Sequence, residues 1–161
     1  MVFFSSDSII IRIRKFITSN SIDSKTMIVE IARSWLDTPY AAHQSAKGVF
    51  CDCVGFLLGV ARELGHNIEI ENYSSVPTGN SLVKILDTHL VRVDRIYPVP
   101  GDILCFKTSY RGLPTHVGIA TDIGLIHADS RVKKVVETSL GYWERLIVGY
   151  WILGEKNEKN N

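Results

Sequence analysis

Two cysteines and two histidines in this chain stand out as candidates for a reaction centre. Cys51 and Cys53 lie in the string Phe50-Cys51-Asp52-Cys53-Val54-Gly55-Phe56, His116 heads the run His-Val-Gly-Ile-Ala, and His127 sits in Leu-Ile-His-Ala-Asp. A cysteine becomes a strong nucleophile once its thiol loses a proton, and an imidazole titrates in the range suited to take it. The apolar residues Phe56, Leu57, Val60, Ala61 and Leu64 recur at helical spacing behind Cys53. That places Cys53 in the first turn of a helix, where unpaired N–H groups and the positive dipole end favour thiolate and can hold an oxyanion. Taken alone, a free cysteine is ordinarily a small buried hydrophobe and a single histidine is ordinarily structural. The combination is what points to chemistry. A tight connection from Asp122 to Gly124 pairs the strands carrying His116 and His127 as a hairpin, with both imidazoles near the same end. One can then take the thiol proton while the second orients the first through its other ring nitrogen. Cys105, in an apolar strand, reads as inert, and His66 and His89 carry no signal.

The elements that must hold these groups divide into helices first and strands second. Apolar residues from Met27 to Leu36 repeat at three and four from Thr26 onward, until Thr38-Pro39 blocks continuation. A loop from Tyr40 to Phe50 follows, then the helix behind Cys53, which Gly65 stops. Residues 66 to 80 look irregular, and Ser81 to Leu90 suits a third helix. Short β-rich runs then appear at Val91–Tyr97, Asp102–Lys107, His116–Thr121, Gly124–Ala128, Lys133–Thr138 and Ile147–Leu153. This order predicts an α+β fold, with N-terminal helices packed on one face of a central antiparallel sheet. The expected division is an extension of no assigned role over 1–25, one catalytic domain over 26–154, and a polar tail over 155–161. Trp143, Trp151, Tyr142 and Tyr150 read as packing residues rather than a carbohydrate platform.

Composition narrows the function classes. With 161 residues, 45% hydrophobic and 22% charged, the chain fits one globular domain. Lysine and arginine number 18 against 17 acidic residues, so no net field points to nucleic acid or an anionic membrane as the main partner. Three cysteines, two of them two residues apart, do not suggest a disulfide framework, and a reduced protein is expected. Near the N-terminus the apolar run precedes Arg12, Arg14 and Lys15, the reverse of a signal peptide, and no stretch approaches the roughly 18 apolar residues of a membrane span. Synthesis in the cytoplasm without a signal peptide, and no transmembrane segment, are the expectations.

Three separated blocks resemble the signatures of NlpC-type cysteine peptidases. The first is Trp35-Leu36-Asp37-Thr38-Pro39-Tyr40 through Phe50-Cys51-Asp52-Cys53-Val54-Gly55-Phe56; the second is Pro100-Gly101-Asp102-Ile103-Leu104-Cys105-Phe106 followed by His116-Val117-Gly118-Ile119; the third is Leu125-Ile126-His127-Ala128. The resemblance implies a papain-like α+β fold and hydrolysis of amide bonds in peptidoglycan stem peptides, commonly from D-glutamate to the diamino acid, with no cofactor. It puts the nucleophile on Cys53, the base on His116 and the third polar residue on His127. Tyr40 falls where the family's tyrosine assists the oxyanion site, and Asp52 beside the nucleophile, where it is expected to support the loop; Tyr40, Asp52 and the loop residue His43 are the candidate substrate contacts. The sequence around His43-Gln44-Ser45 and Cys51-Asp52-Cys53 is most similar to the subgroup encoded by phages and gene-transfer agents. That implies tail-tip proteins as partners and action at the cell wall from a tail particle. Val54 replaces the small residue that often follows the nucleophile, and Ala41-Ala42-His43-Gln44 replaces an aromatic-glycine stretch, so substrate contacts are expected to differ.

Three rival readings stay open from the sequence. One is a catalytically idle tail-assembly or binding module of the same fold. Another is a zinc site built from Cys51, Cys53, His116 and His127, although Cys-x-Cys is tighter than the usual knuckle. The third is an amidase or acyltransferase on another substrate, since the same nucleophile and base serve either chemistry.

Overall fold

The structure, a computed structural model, describes residues 24–70, 73, 79–108 and 111–154. The expected extension therefore lies outside the described residues except for Ser24 and Lys25, and the polar tail lies wholly outside them. Helix α1 covers 24–33, so those two residues are helical rather than part of the extension. Two short strands, β1 (Ser45–Ala46) and β2 (Phe50–Cys51), precede helix α2 (Cys53–Glu63) and helix α3 (Ser81–His89). The remaining strands are β3 (Val91–Val93), β4 (Ile103–Lys107), β5 (Pro114–Ala120), β6 (Leu125–Asp129), β7 (Lys134–Thr138) and β8 (Ile147–Ile152).

The last six strands form one antiparallel sheet in the order β3-β8-β4-β5-β6-β7. Alternation along each strand sends its side chains to two different layers. Ile103, Cys105, Val117, Ile119, Ile126, Ala128 and Val135 face the helices and join Ile28, Ala32, Phe56, Val60 and Leu86 in the main core. Leu104, Phe106, Ala120 and Leu125 face the other way, where Leu146, Leu140 and Trp143 cover them. That cover is a 3-10 helix, Gly141–Leu146, which the sequence reading left unassigned. Trp151 is fully buried with its indole N–H donated to Asp87 at 2.8 Å, as expected of a packing residue.

The three helices and six long strands fall where the periodicities put them. β3 stops at Val93, short of Tyr97, and the Tyr40–Phe50 loop contains the small β1–β2 pair. α2 ends as Gly65 requires. Gly65 takes φ +84°, its N–H bonds to the Arg62 carbonyl, and the His66 N–H bonds to that of Ala61, which closes a Schellman turn.

One ladder differs from its neighbours. β4 pairs with β5 and β6 with β7 over five positions each, whereas β5 and β6 pair only at Ile119↔Ile126 and Ala120↔Leu125. Beyond those two positions the β5–β6 seam is unladdered, and it leads toward His116 and His127.

Candidate active site

The site begins with the cap that starts α2. Asp52 is extended, at φ −102° and ψ −174°, and its carboxylate accepts the Gly55 N–H at 2.7 Å. Its carbonyl accepts the Phe56 N–H at 2.8 Å, the first helical bond. The same carboxylate accepts the His43 N–H at 2.7 Å and the Tyr73 hydroxyl at 2.9 Å to each oxygen. Gly55 is needed there because a Cβ would stand 1.9 Å from the Gln44 carbonyl oxygen, so any side chain would push the loop off the first turn. Asp52 thus braces the loop against the helix, and Cys53 becomes the first helical residue. The amides of Cys53 and Val54, too early in the helix for an internal partner, are left beside the thiol.

Cys53, Tyr40, His116 and His127 line one cavity of about 350 Å³. Tyr40 is placed by backbone bonding, its N–H to the Lys133 carbonyl at 2.8 Å, and by a bridge to Cys51. His116 Nε2 and His127 Nδ1 are 2.8 Å apart, with the rings nearly perpendicular at 82°. Both histidines project on the side of the sheet away from the main core, as alternation along β5 and β6 dictates, and Gly118 leaves the room that His127 takes. Continuing the β5–β6 register places Gly118 opposite His127. A Cβ on it would meet the Ile126 carbonyl oxygen at 2.9 Å and the His127 Cβ at 3.2 Å.

A wall over the histidines, not expected from the sequence, completes the site. Trp143 stacks on His116, with centroids 5.3 Å apart and planes at 29°, and meets His127 edge-on at 5.2 Å. Its place in a 3-10 segment carries no periodic signal; only the breaker Gly141 marks the spot. Thr115, Asp129, Arg131 and Tyr142 also line the cavity. Asp52 and His43, expected beside substrate, do not line it: the Asp52 carboxylate is committed to the brace, and the His43 ring rests 5.0 Å from that of Tyr73. A larger cavity of about 570 Å³, lined by Met27, Ile28, Leu64 and Ile152, contains no cysteine.

Burial dominates the electrostatics. It pushes the Cys53 thiol up to about 11, with the Val117 amide pulling back and the neighbouring Asp52 charge adding to the rise. Burial likewise lowers His116 to about 3, helped by His127, and lowers His127 to about 4. The resting pair is therefore a neutral thiol and a neutral imidazole. The thiolate expected from the helix dipole is opposed here by desolvation, which disfavours charge wherever water is removed. No hydrogen bond joins Cys53 to either imidazole; thiol and base meet as walls of one cavity. Cys51 and Cys105 are fully buried, and burial pushes each thiol up to about 12. Among the described residues, no three His, Cys, Asp or Glu side chains form a group able to hold a metal ion, so Cys51, Cys53, His116 and His127 do not assemble the zinc set.

No protein-family model matches the sequence, and no curated protein matches it either. Solved structures do match the fold, which is that of NlpC/p60 domains. The NlpC/p60 domain of the peptidoglycan hydrolase SagA is 23% identical, with a TM-score of 0.57 over 80% of this chain and 97% of that one. NlpC2 from Trichomonas vaginalis is 18% identical with a TM-score of 0.59 over 78% of this chain. An NlpC/p60 family protein from Bacillus cereus is 21% identical with a TM-score of 0.59, also over 78% of this chain. The chain spans only 45% and 39% of the length of the last two.

Proposed function

We propose that this chain is a cysteine peptidase that hydrolyses amide bonds in peptidoglycan stem peptides, at the link from D-glutamate to the diamino acid. The observation that carries the reading is a single cavity in which the first residue of a capped helix, Cys53, meets a bonded histidine pair. The substrate class is supported by the three sequence blocks and by the likeness to the SagA domain, which is itself a peptidoglycan hydrolase. The narrower reading, an enzyme carried with tail-tip proteins in a phage-like particle and acting at the cell wall, is supported by the sequence around His43 and Cys51.

In this mechanism His116 receives the thiol proton on Nδ1, since Nε2 is engaged by His127. The accepting tautomer then carries its proton on Nε2 and donates it to His127 Nδ1. Because thiol and imidazole rest neutral, the proton moves as the sulfur attacks the amide carbon rather than beforehand. The oxyanion forms near the Cys53 and Val54 amides and Tyr40. His116 returns the proton to the leaving amine, and water, deprotonated by His116, then cleaves the thioester.

Digestion of purified peptidoglycan followed by mass spectrometry of the released muropeptides tests this. The wild type should release fragments cut at one link, and Cys53→Ala none. His116→Ala should lose more turnover than His127→Ala, because water can partly replace an orienting group but not the base. No release by the wild type would leave an idle binding module of the same fold, and equal losses at the two histidines would undo the assignment of their roles.

A further inference from the structure

The turn after β6 carries a cation into this cavity. Asp129, nearly buried at the end of β6, accepts the Arg131 N–H at 2.7 Å and the Val132 N–H at 3.4 Å. The chain thus folds around one carboxylate, and the Lys133 N–H closes the turn on the Asp129 carbonyl at 2.8 Å. The same carboxylate takes the guanidinium side-on, Nε at 3.3 Å and Nη2 at 3.0 Å. Held along that edge, Arg131 keeps its other terminal nitrogen without a partner among the described residues. Its carbon stands 5.5 Å from the centroid of Trp143, the ring stacked on His116. Two residues on, Lys133 Nζ lies 5.9 Å from the ring centroid of Tyr40, beside Cys53.

A stabilising role does not require a free nitrogen. The Arg131 side chain is 73% exposed, and what the pair gives to folding comes through the buried Asp129 carboxylate, which Nε and Nη2 already engage. The turn itself is closed by backbone N–H groups that any residue at 131 supplies. What arginine adds is one terminal nitrogen held at the rim of a cavity among whose described lining residues Asp129, the carboxylate engaged by Nε and Nη2, is the only acid. Lys133, outside the lining but over the Tyr40 ring, brings a second cation to the same side. A guanidinium nitrogen with free N–H groups and a nearby ammonium suit a carboxylate.

We propose that Arg131 is a specificity-determining residue that binds a free carboxylate on the substrate residue next to the scissile amide, with Lys133 as a secondary cation. The inference rests on the peptidase reading and adds to it a preference for acidic peptides over their amidated forms. The test uses two synthetic peptides that differ only in carrying a carboxylate or a carboxamide beside the scissile link. Their Kd values are measured by calorimetry on the Cys53→Ala chain, and kcat/KM on the wild type. The carboxylate peptide should bind about tenfold more tightly, as expected for one charge-assisted contact at a half-wet rim. Adding Arg131→Gln should bring the ratio of the two affinities close to one, and Arg131→Lys should restore part of it. A merely structural arginine would weaken both peptides together and leave the ratio standing. That result, or failure of the carboxylate peptide to bind, overturns the proposal. An Arg131-dependent preference in binding without cleavage by the wild type would uphold it and sink the peptidase reading instead.

Discussion

Three cysteines in one small fold differ chiefly in how water reaches them. Cys51 and Cys105 are fully buried, whereas Cys53 retains exposure at the cavity. Cys53 should therefore be the first alkylated by iodoacetamide, as peptide mapping would reveal. The thiol is pushed up to about 11, so its labelling rate should climb roughly tenfold per pH unit from pH 6 to 9 without a plateau. A fast rate independent of pH near 5 to 6 would instead mean a thiolate–imidazolium pair and would overturn the burial argument. The types and intervals of Cys53, His116 and His127 led to expecting them together, Tyr40 came through the resemblance to NlpC-type peptidases, and the four line one cavity. The protonation states were not legible in the sequence. Spacing locates a thiol on a helix end, but desolvation depends on what else the fold packs there.

At the scale of elements, sequence periodicity located the helices and long strands because each buries one face, and the Gly65 stop followed from a conformation that glycine adopts without strain. What it could not show is how strands meet across a register. The tight connection at Ile123 suggested that His116 and His127 lie near one end of a hairpin, but the place of His127 also depends on Gly118, which has no side chain to crowd it. Gly118→Ala should then cost about 1–3 kcal/mol of stability, seen in chemical denaturation, because the new methyl overlaps a carbonyl and the His127 Cβ. It should also lower kcat by about tenfold or more, since displacing the orienting ring misaligns the base. Unchanged kcat in a folded Gly118→Ala protein would show that the histidine contact is dispensable. The Trp143 wall was beyond reach from sequence for a related reason: a 3-10 turn has no hydrophobic period long enough to read.

For the molecule as a whole, a buried His127 and a half-buried His116, both held neutral, have a thermodynamic cost in acid. In the unfolded chain each would take a proton near 6.5, but in the fold His116 waits until about 3 and His127 until about 4. Above pH 6.5 neither state binds the proton and stability does not change on their account. Between about 6.5 and 3 the unfolded chain gains protons that the native site refuses, so stability falls as pH falls. Asp129, held down at about 2 against an ordinary 3.8, extends the loss below that window. The urea midpoint should drop steadily from pH 7 to 4, and His127→Phe should flatten part of that slope. A midpoint constant over the same range would mean that the imidazoles are charged inside the fold.

The short seam between β5 and β6 divides this sheet unevenly. β3, β8, β4 and β5 form one blade and β6 with β7 another, joined by two ladder positions and by α2 lying against both. His116 rides on the first blade and His127 on the second, while Cys53 sits at the tip of the helix that straps them together. The reacting groups therefore belong to three parts. Past the two ladder positions the 2.8 Å bond between the imidazoles spans the seam, so the contact that orients the base also joins the two blades.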